Sequence, residues 1–177
     1  MSKVLDYKYS SSEVDTTSSA IFKKLKETND CSVRAIASAV DVDYDKAHTY
    51  TAKVLEREPR KGCINMIHRI ANLIKGDSPV QKIGNVQFEY EYIRQKELKN
   101  RYKLHGEVIY RKKTVKSFID AFRKGTFLVF VADHVFTLKD GVMVDNNGEE
   151  FRPTRKVIGA IKVNVKSSTE QLELFNY

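Results

Sequence analysis

The stretch Thr126-Phe-Leu-Val-Phe-Val-Ala-Asp-His-Val-Phe-Thr-Leu-Lys-Asp-Gly-Val-Met-Val-Asp145 decides the fold. Thr126 to Ala132 is a continuous apolar run of strand length, which predicts a central strand. His134 to Leu138 and Val142 to Asp145 flank Lys139-Asp140-Gly141, and Asp-Gly between two such runs predicts a tight hairpin. If the turn has two residues, Lys139 pairs with Val142, and His134 lies opposite Asn147 and diagonal to Asp145. A three-residue loop slips the register by one and brings Asn146 to that face instead.

Working outward, Lys156 to Val165 predicts a last strand, Val80 to Ile93 and Glu107 to Tyr110 hold further strand candidates, and Thr114 to Lys124 predicts a helix stopped by Gly125. The first half has the helical period. From Cys31 to Val40 apolar residues recur at i, i+3, i+4 and i+7 behind the capping candidates Thr28, Asn29 and Asp30. A second helix starts at Asp43 and ends before Pro59, and a third runs past Ile67 and His68 to Gly76. Helices first and an antiparallel sheet afterwards give an α+β class. Residues 1–20, rich in Ser, Thr and Asp, read as a flexible arm before a single domain over 21–177, within which 94–116 form a basic segment.

Composition narrows the chemistry. Hydrophobic residues make up 41% of the chain and charged residues 31%, and no apolar run approaches the length of a bilayer span of about 18 residues. The first twenty residues hold no apolar signal core, so a cytoplasmic setting with no membrane partner is the expectation. Cys31 and Cys63 stand in different contexts without histidines at ligand spacing, and His48, His68, His105 and His134 are scattered. Neither a metal nor another cofactor is expected. The net charge of +8 is uneven: Arg94 to Lys116 holds nine basic residues against Glu97 and Glu107. Arg101, Lys103, Arg111, Lys112 and Lys113, with Tyr102 and Tyr110 among them, are candidates for binding a polyanion such as nucleic acid or an acidic host protein. The competing reading is a solvated face that keeps the chain soluble.

A cysteine in the first turn of a helix is a candidate nucleophile, because unpaired backbone N–H groups and the positive helix end stabilise a thiolate. Cys31 holds that place. His134, a polar ring opening a strand next to an apolar run, is the candidate base. Asp145 is the preferred third group, since a carboxylate fixes the imidazole tautomer and stabilises its charged form; Asn146, Asn147 and plain turn chemistry are the alternatives.

Thr28-Asn29-Asp30-Cys31 opening a helix, followed by Gly125-Thr126, His134, Asp140-Gly141 and Asp145, resembles the Cys, His, Asn/Asp order of papain-like cysteine peptidases, in particular small phage-encoded members. The resemblance spans Thr28 to Val165 and implies a papain-like fold, its nucleophile at a helix N-terminus packed on the sheet. It implies a thiol hydrolase cleaving a peptide, isopeptide or related amide bond of a peptide or protein substrate through an acyl-cysteine, in the host cytoplasm. Cys31 would be the nucleophile, His134 the base and Asp145 the orienting group. Leu25 stands where the family carries an oxyanion-hole glutamine, so Asn29 enters as a substitute donor, with helix capping as its rival role. The other expectation is an inactive papain-like scaffold that binds nucleic acid or an acidic host protein through the basic segment.

Overall fold

The computed structural model describes residues 9–11, 14–62, 65–76, 79–145 and 153–166. In chain order the elements are β1 (Tyr9–Ser11), α1 (Ala20–Leu25), α2 (Cys31–Val40), α3 (Tyr44–Lys53), α4 (Met66–Lys75), β2 (Val80–Ile83) and β3 (Val86–Tyr92). There follow β4 (Lys99–Leu104), β5 (Glu107–Lys112), α5 (Val115–Ala121), β6 (Thr126–Val131), β7 (His134–Lys139), β8 (Val142–Asp145) and β9 (Gly159–Val165). Helices precede a largely antiparallel sheet, as the change of period predicts. Seven strands lie in the order β1-β8-β7-β6-β9-β3-β2, while β4 and β5 form a separate two-stranded sheet. The apolar run of β6 takes the middle of the main sheet. Only the β1–β8 pair is parallel.

Alternation along β6 divides the core in two. Leu128 and Phe130 face one cluster with Val33, Ile36 and Val40 of α2, whereas Phe127, Val129 and Val131 face Phe118 and Ile119 of α5. Burial of a side chain such as Ile36 or Leu128 stabilises by about 2 kcal/mol each. Helix α2 carries Ala35, Ala37 and Ala39, all buried, and these small side chains let it lie close on β7. There Thr137 Oγ1 donates to the Ala35 carbonyl at 2.7 Å, and Lys139 Nζ lies 2.6 Å from an Asp41 oxygen at the helix end.

Local chemistry sets most boundaries. Asp43 caps α3 by accepting from the Lys46 N–H, Thr114 and Ser117 form a reciprocal capping box on α5, and the Gly76 N–H closes α4 on the carbonyls of Asn72 and Leu73. Asp140 and Gly141 have φ of 49° and 78°, the left-handed pair that a two-residue hairpin turn of matching twist requires. Lys139 accordingly pairs with Val142, Leu138 with Met143 and Thr137 with Val144. Three elements have no counterpart in the sequence reading: β1, which pairs with β8 inside the stretch read as a flexible arm, α1, started by the Ser19 side chain accepting from the Phe22 N–H, and β4. Alternation is weak in β4 because its residues are largely exposed.

Candidate functional site

Helix α2 begins at Cys31, as the capping pattern and periodicity predict, but its cap is unusual. Asp30 occupies the cap position without capping; its carboxylate instead receives Arg34 Nε at 2.9 Å and Tyr44 Oη at 3.1 Å. Burial and the Asp30 charge push the Tyr44 phenol up, so it stays a donor to that carboxylate. No side chain among the described residues therefore covers the first-turn N–H groups of α2. Next to the half-buried Cys31 sits Ser32, whose hydroxyl is buried and has no hydrogen-bond partner among the described residues. A buried, unsatisfied hydroxyl beside bare helix N–H groups is an arrangement suited to receiving an oxygen of an incoming molecule.

Beneath this turn lies a buried ionic cluster. Glu27 accepts from Arg57 Nη2 at 2.7 Å, from His48 Nε2 at 2.9 Å and from the Arg60 N–H at 3.1 Å. Burial alone would raise the Glu27 carboxyl, but hydrogen bonds from Arg57 and His48, with the Arg57 charge, outweigh it and hold the group below its ordinary value. Arg57 also donates to the Asn29 carbonyl at 3.2 Å, so the cluster fixes the backbone two residues ahead of Cys31.

The N-terminus of α2 opens on a cleft of about 590 Å³. Asn29, Asp30, Cys31 and Ser32 form one wall, Met66, Ile67 and His68 of α4 a second, and Phe130, Asp133, His134 and Ile158 at the sheet rim a third. The cleft thus gathers Cys31 and His134, as the sequence suggests, and adds His68, which the periodicity of α4 had assigned only to a helix face. His134 stands immediately after the Ala132-Asp133 turn, since it pairs with Val131. Its ring stacks over Phe136 at 6.4 Å, and Phe136 belongs to the α5 side of the sheet, so His134 approaches the cleft from the rim. A second cavity of about 570 Å³ shares Ile67, His68 and Ile158 with the first and runs on past Ala71 and Ile74 to Tyr92. The first cavity is lined by polar and apolar side chains in similar number, and the second mainly by apolar ones, with Lys75 and Gln95 among them. Gly159 of β9 has no side chain where a Cβ would collide with Ile67 Cδ1, which lets α4 sit close on β9.

Other candidates are placed less centrally. Asn29 lines the cleft, yet its amide donates to the Arg60 carbonyl at 3.4 Å. Asp145 ends β8 and pairs through its backbone with Ser11 of β1, while Asn146, Asn147 and Cys63 lie outside the described residues. Of the basic candidates, Arg101, Lys103, Arg111 and Lys112 are exposed on the β4–β5 hairpin, whereas Lys113 is half-buried with Nζ 2.6 Å from Asn100 Oδ1. No group of histidine, cysteine and carboxylate side chains suited to a metal occurs among the described residues. No helix of the described chain is long and apolar enough to cross a membrane.

Residues 80–167, just under half of the chain, match the bacterial lipid A biosynthesis acyltransferase family. No curated protein and no solved structure matches this sequence. The match runs from β2 through β9, including His134 and excluding Cys31. It overturns the papain-like resemblance and with it both functional expectations drawn from it, the thiol hydrolase and the inert papain-like scaffold. The resemblance rested on short motifs around a helix-first cysteine and a strand-first histidine. A thiol and an imidazole brought together by helix-on-sheet packing do not belong to one enzyme class.

Proposed function

We propose that this protein is an acyltransferase that carries the acyl group on Cys31. The observation that bears most weight is the cleft: it gathers the Cys31 thiol, flanked by bare helix N–H groups, with His134, and a largely apolar cavity that suits a hydrocarbon chain adjoins it at Ile67 and Ile158. Likeness of residues 80–167 to an acyltransferase family supports the same reaction class.

The cleft residues divide the work as follows. The Cys31 sulfur attacks the carbonyl carbon of an acyl thioester donor while His134 takes the thiol proton. The Ser32 hydroxyl and the first-turn N–H groups of α2 hold the oxygen that becomes negative. Collapse breaks the bond to the donor's sulfur, which receives the proton from His134, and the acyl group remains on Cys31. A hydroxyl or amine acceptor then attacks, His134 takes its proton, and the Cys31 sulfur leaves and is reprotonated. His68, on the opposite wall, stands where the acceptor enters.

Incubation with a decanoyl thioester tests the reading by intact-mass and peptide-mass spectrometry. The expected result is one decanoyl adduct on the Cys31 peptide, absent in Cys31→Ala and slowed by about a hundredfold or more in His134→Ala. Absence of the adduct on Cys31 with donors of several chain lengths, or an equal adduct on the Cys63 peptide, would sink it.

A further inference from the structure

The β4–β5 hairpin takes no part in that cleft. It stands apart from the main sheet and is rooted near α5 by the Asn100 amide on Ser117 Oγ at 3.3 Å and the Lys113 N–H on the Leu98 carbonyl at 2.8 Å. From this root the two strands run to a His105-Gly106 turn, whose φ values of 48° and 85° again mark a two-residue hairpin. The ribbon is about 17 Å long, six residues at the antiparallel rise.

Its side chains are layered along that length. Next to the turn are Leu104 and Val108, aliphatic and 49% and 40% exposed. Further back come Tyr102, paired with Ile109, and then Tyr110, paired with Arg101; they are 46% and 62% exposed. Towards the root stand Lys99, Arg101, Arg111 and Lys112, with Lys103 beside the tip. These four apolar or aromatic residues are among only nine large hydrophobic side chains exposed in the described chain. Lys99 pairs directly with Lys112 across the strands, a like-charge contact that costs stability unless an anion sits over it. None of the five cations makes a salt bridge among the described residues.

We propose that the β4–β5 hairpin docks this protein onto an anionic lipid bilayer, the tip entering the headgroup layer while the cations meet lipid phosphates. Aliphatic side chains nearest the turn, tyrosines behind them, and cations running from Lys103 beside the tip to Lys99 and Lys112 at the root suit the passage from the apolar interior of a bilayer through its phosphate layer. A nucleic acid would use the cations and could stack on the tyrosines, but it offers Leu104 and Val108 nothing to bury against. A bilayer uses all three layers. The sequence expectation of no membrane partner rested on the absence of a long apolar run, and a tip that enters only the headgroup layer needs none. Glu107, beside the turn, is the one carboxylate on the ribbon and opposes docking.

Co-sedimentation of the full chain with vesicles tests this, comparing neutral phosphatidylcholine with vesicles containing about 30 mol% phosphatidylglycerol. Binding is expected only to the anionic vesicles. It should fall at least about tenfold in the double variant Arg101→Glu, Lys112→Glu, fall severalfold in Leu104→Ser, Val108→Ser, and rise in Glu107→Gln. Unchanged circular dichroism would show these variants folded, because the ribbon lies outside the main sheet. Equal binding by the charge-reversed variant, no preference for anionic vesicles, or tight binding of a labelled oligonucleotide with none to vesicles would overturn the proposal.

Discussion

The turn ahead of Cys31 and the β4–β5 ribbon both concentrate charge, yet they treat it in opposite ways. Around Glu27 the charges are buried and matched, with Arg57 and His48 on one carboxylate and both Glu27 and Arg57 fully enclosed. On the ribbon the charges are exposed and, Glu107 apart, positive, and none of them makes a salt bridge among the described residues. Charge enclosed with its partner holds a segment in a single conformation, because either partner left alone in the interior is costly. Charge exposed without one contributes little to folding and is available to bind. One region holds the backbone ahead of Cys31 in place; the other faces what lies outside the molecule.

The sharpest way to break this contrast is Arg57→Ala, which strands the Glu27 carboxylate and should cost about 3–5 kcal/mol by urea unfolding. A loss under about 1 kcal/mol would place the cluster with ordinary surface pairs. Acid gives a second, smaller test. Glu27 titrates lower in the folded chain than its ordinary 4.5, so the stability it contributes is fully present above that pH and is lost as pH falls through the lowered value. Thermal melts should therefore drop below pH 4.5 in the native chain and less steeply in Glu27→Gln; parallel slopes would assign acid sensitivity elsewhere. The smallest effect belongs to the ribbon: Tyr110→Ser should change unfolding stability by less than about 0.5 kcal/mol. A larger cost would mean that the ribbon packs as part of the core.

The same two regions show what was legible in the sequence. Strong local signals came through: the apolar run of β6, the Asp140-Gly141 turn that sets the β7–β8 register, the start of α2 at Cys31 and the Asp43 cap. These rest on periodicity and turn chemistry, which act over a few residues. Features made by distant partners were not legible. His48 read as one of four scattered histidines, although it is half of a buried contact with Glu27, 21 residues earlier. Ser32 gave no signal, because whether a hydroxyl finds a partner depends on packing that sequence does not display. Nor did the spacing of Asp30 announce that it would forgo capping to serve Arg34 and Tyr44. Of the site, sequence offered Cys31 and His134 as a pair; the cleft and the place of His68 in it came from the fold, and the likeness of residues 80–167 to an acyltransferase family came from comparison.

The parallel pairing of β1 with β8 bears on how the chain is made. Tyr9 lies beside Met143, so a strand early in the described chain is edged by one far later in it. During translation β1 waits as a bare strand until β6, β7 and β8 have emerged and folded back, and its closure is among the last and longest-range events of folding. A chain stalled before residue 142 presents that unpaired edge to its neighbours, and the stalled chain rather than the finished one is the form most exposed to aggregation.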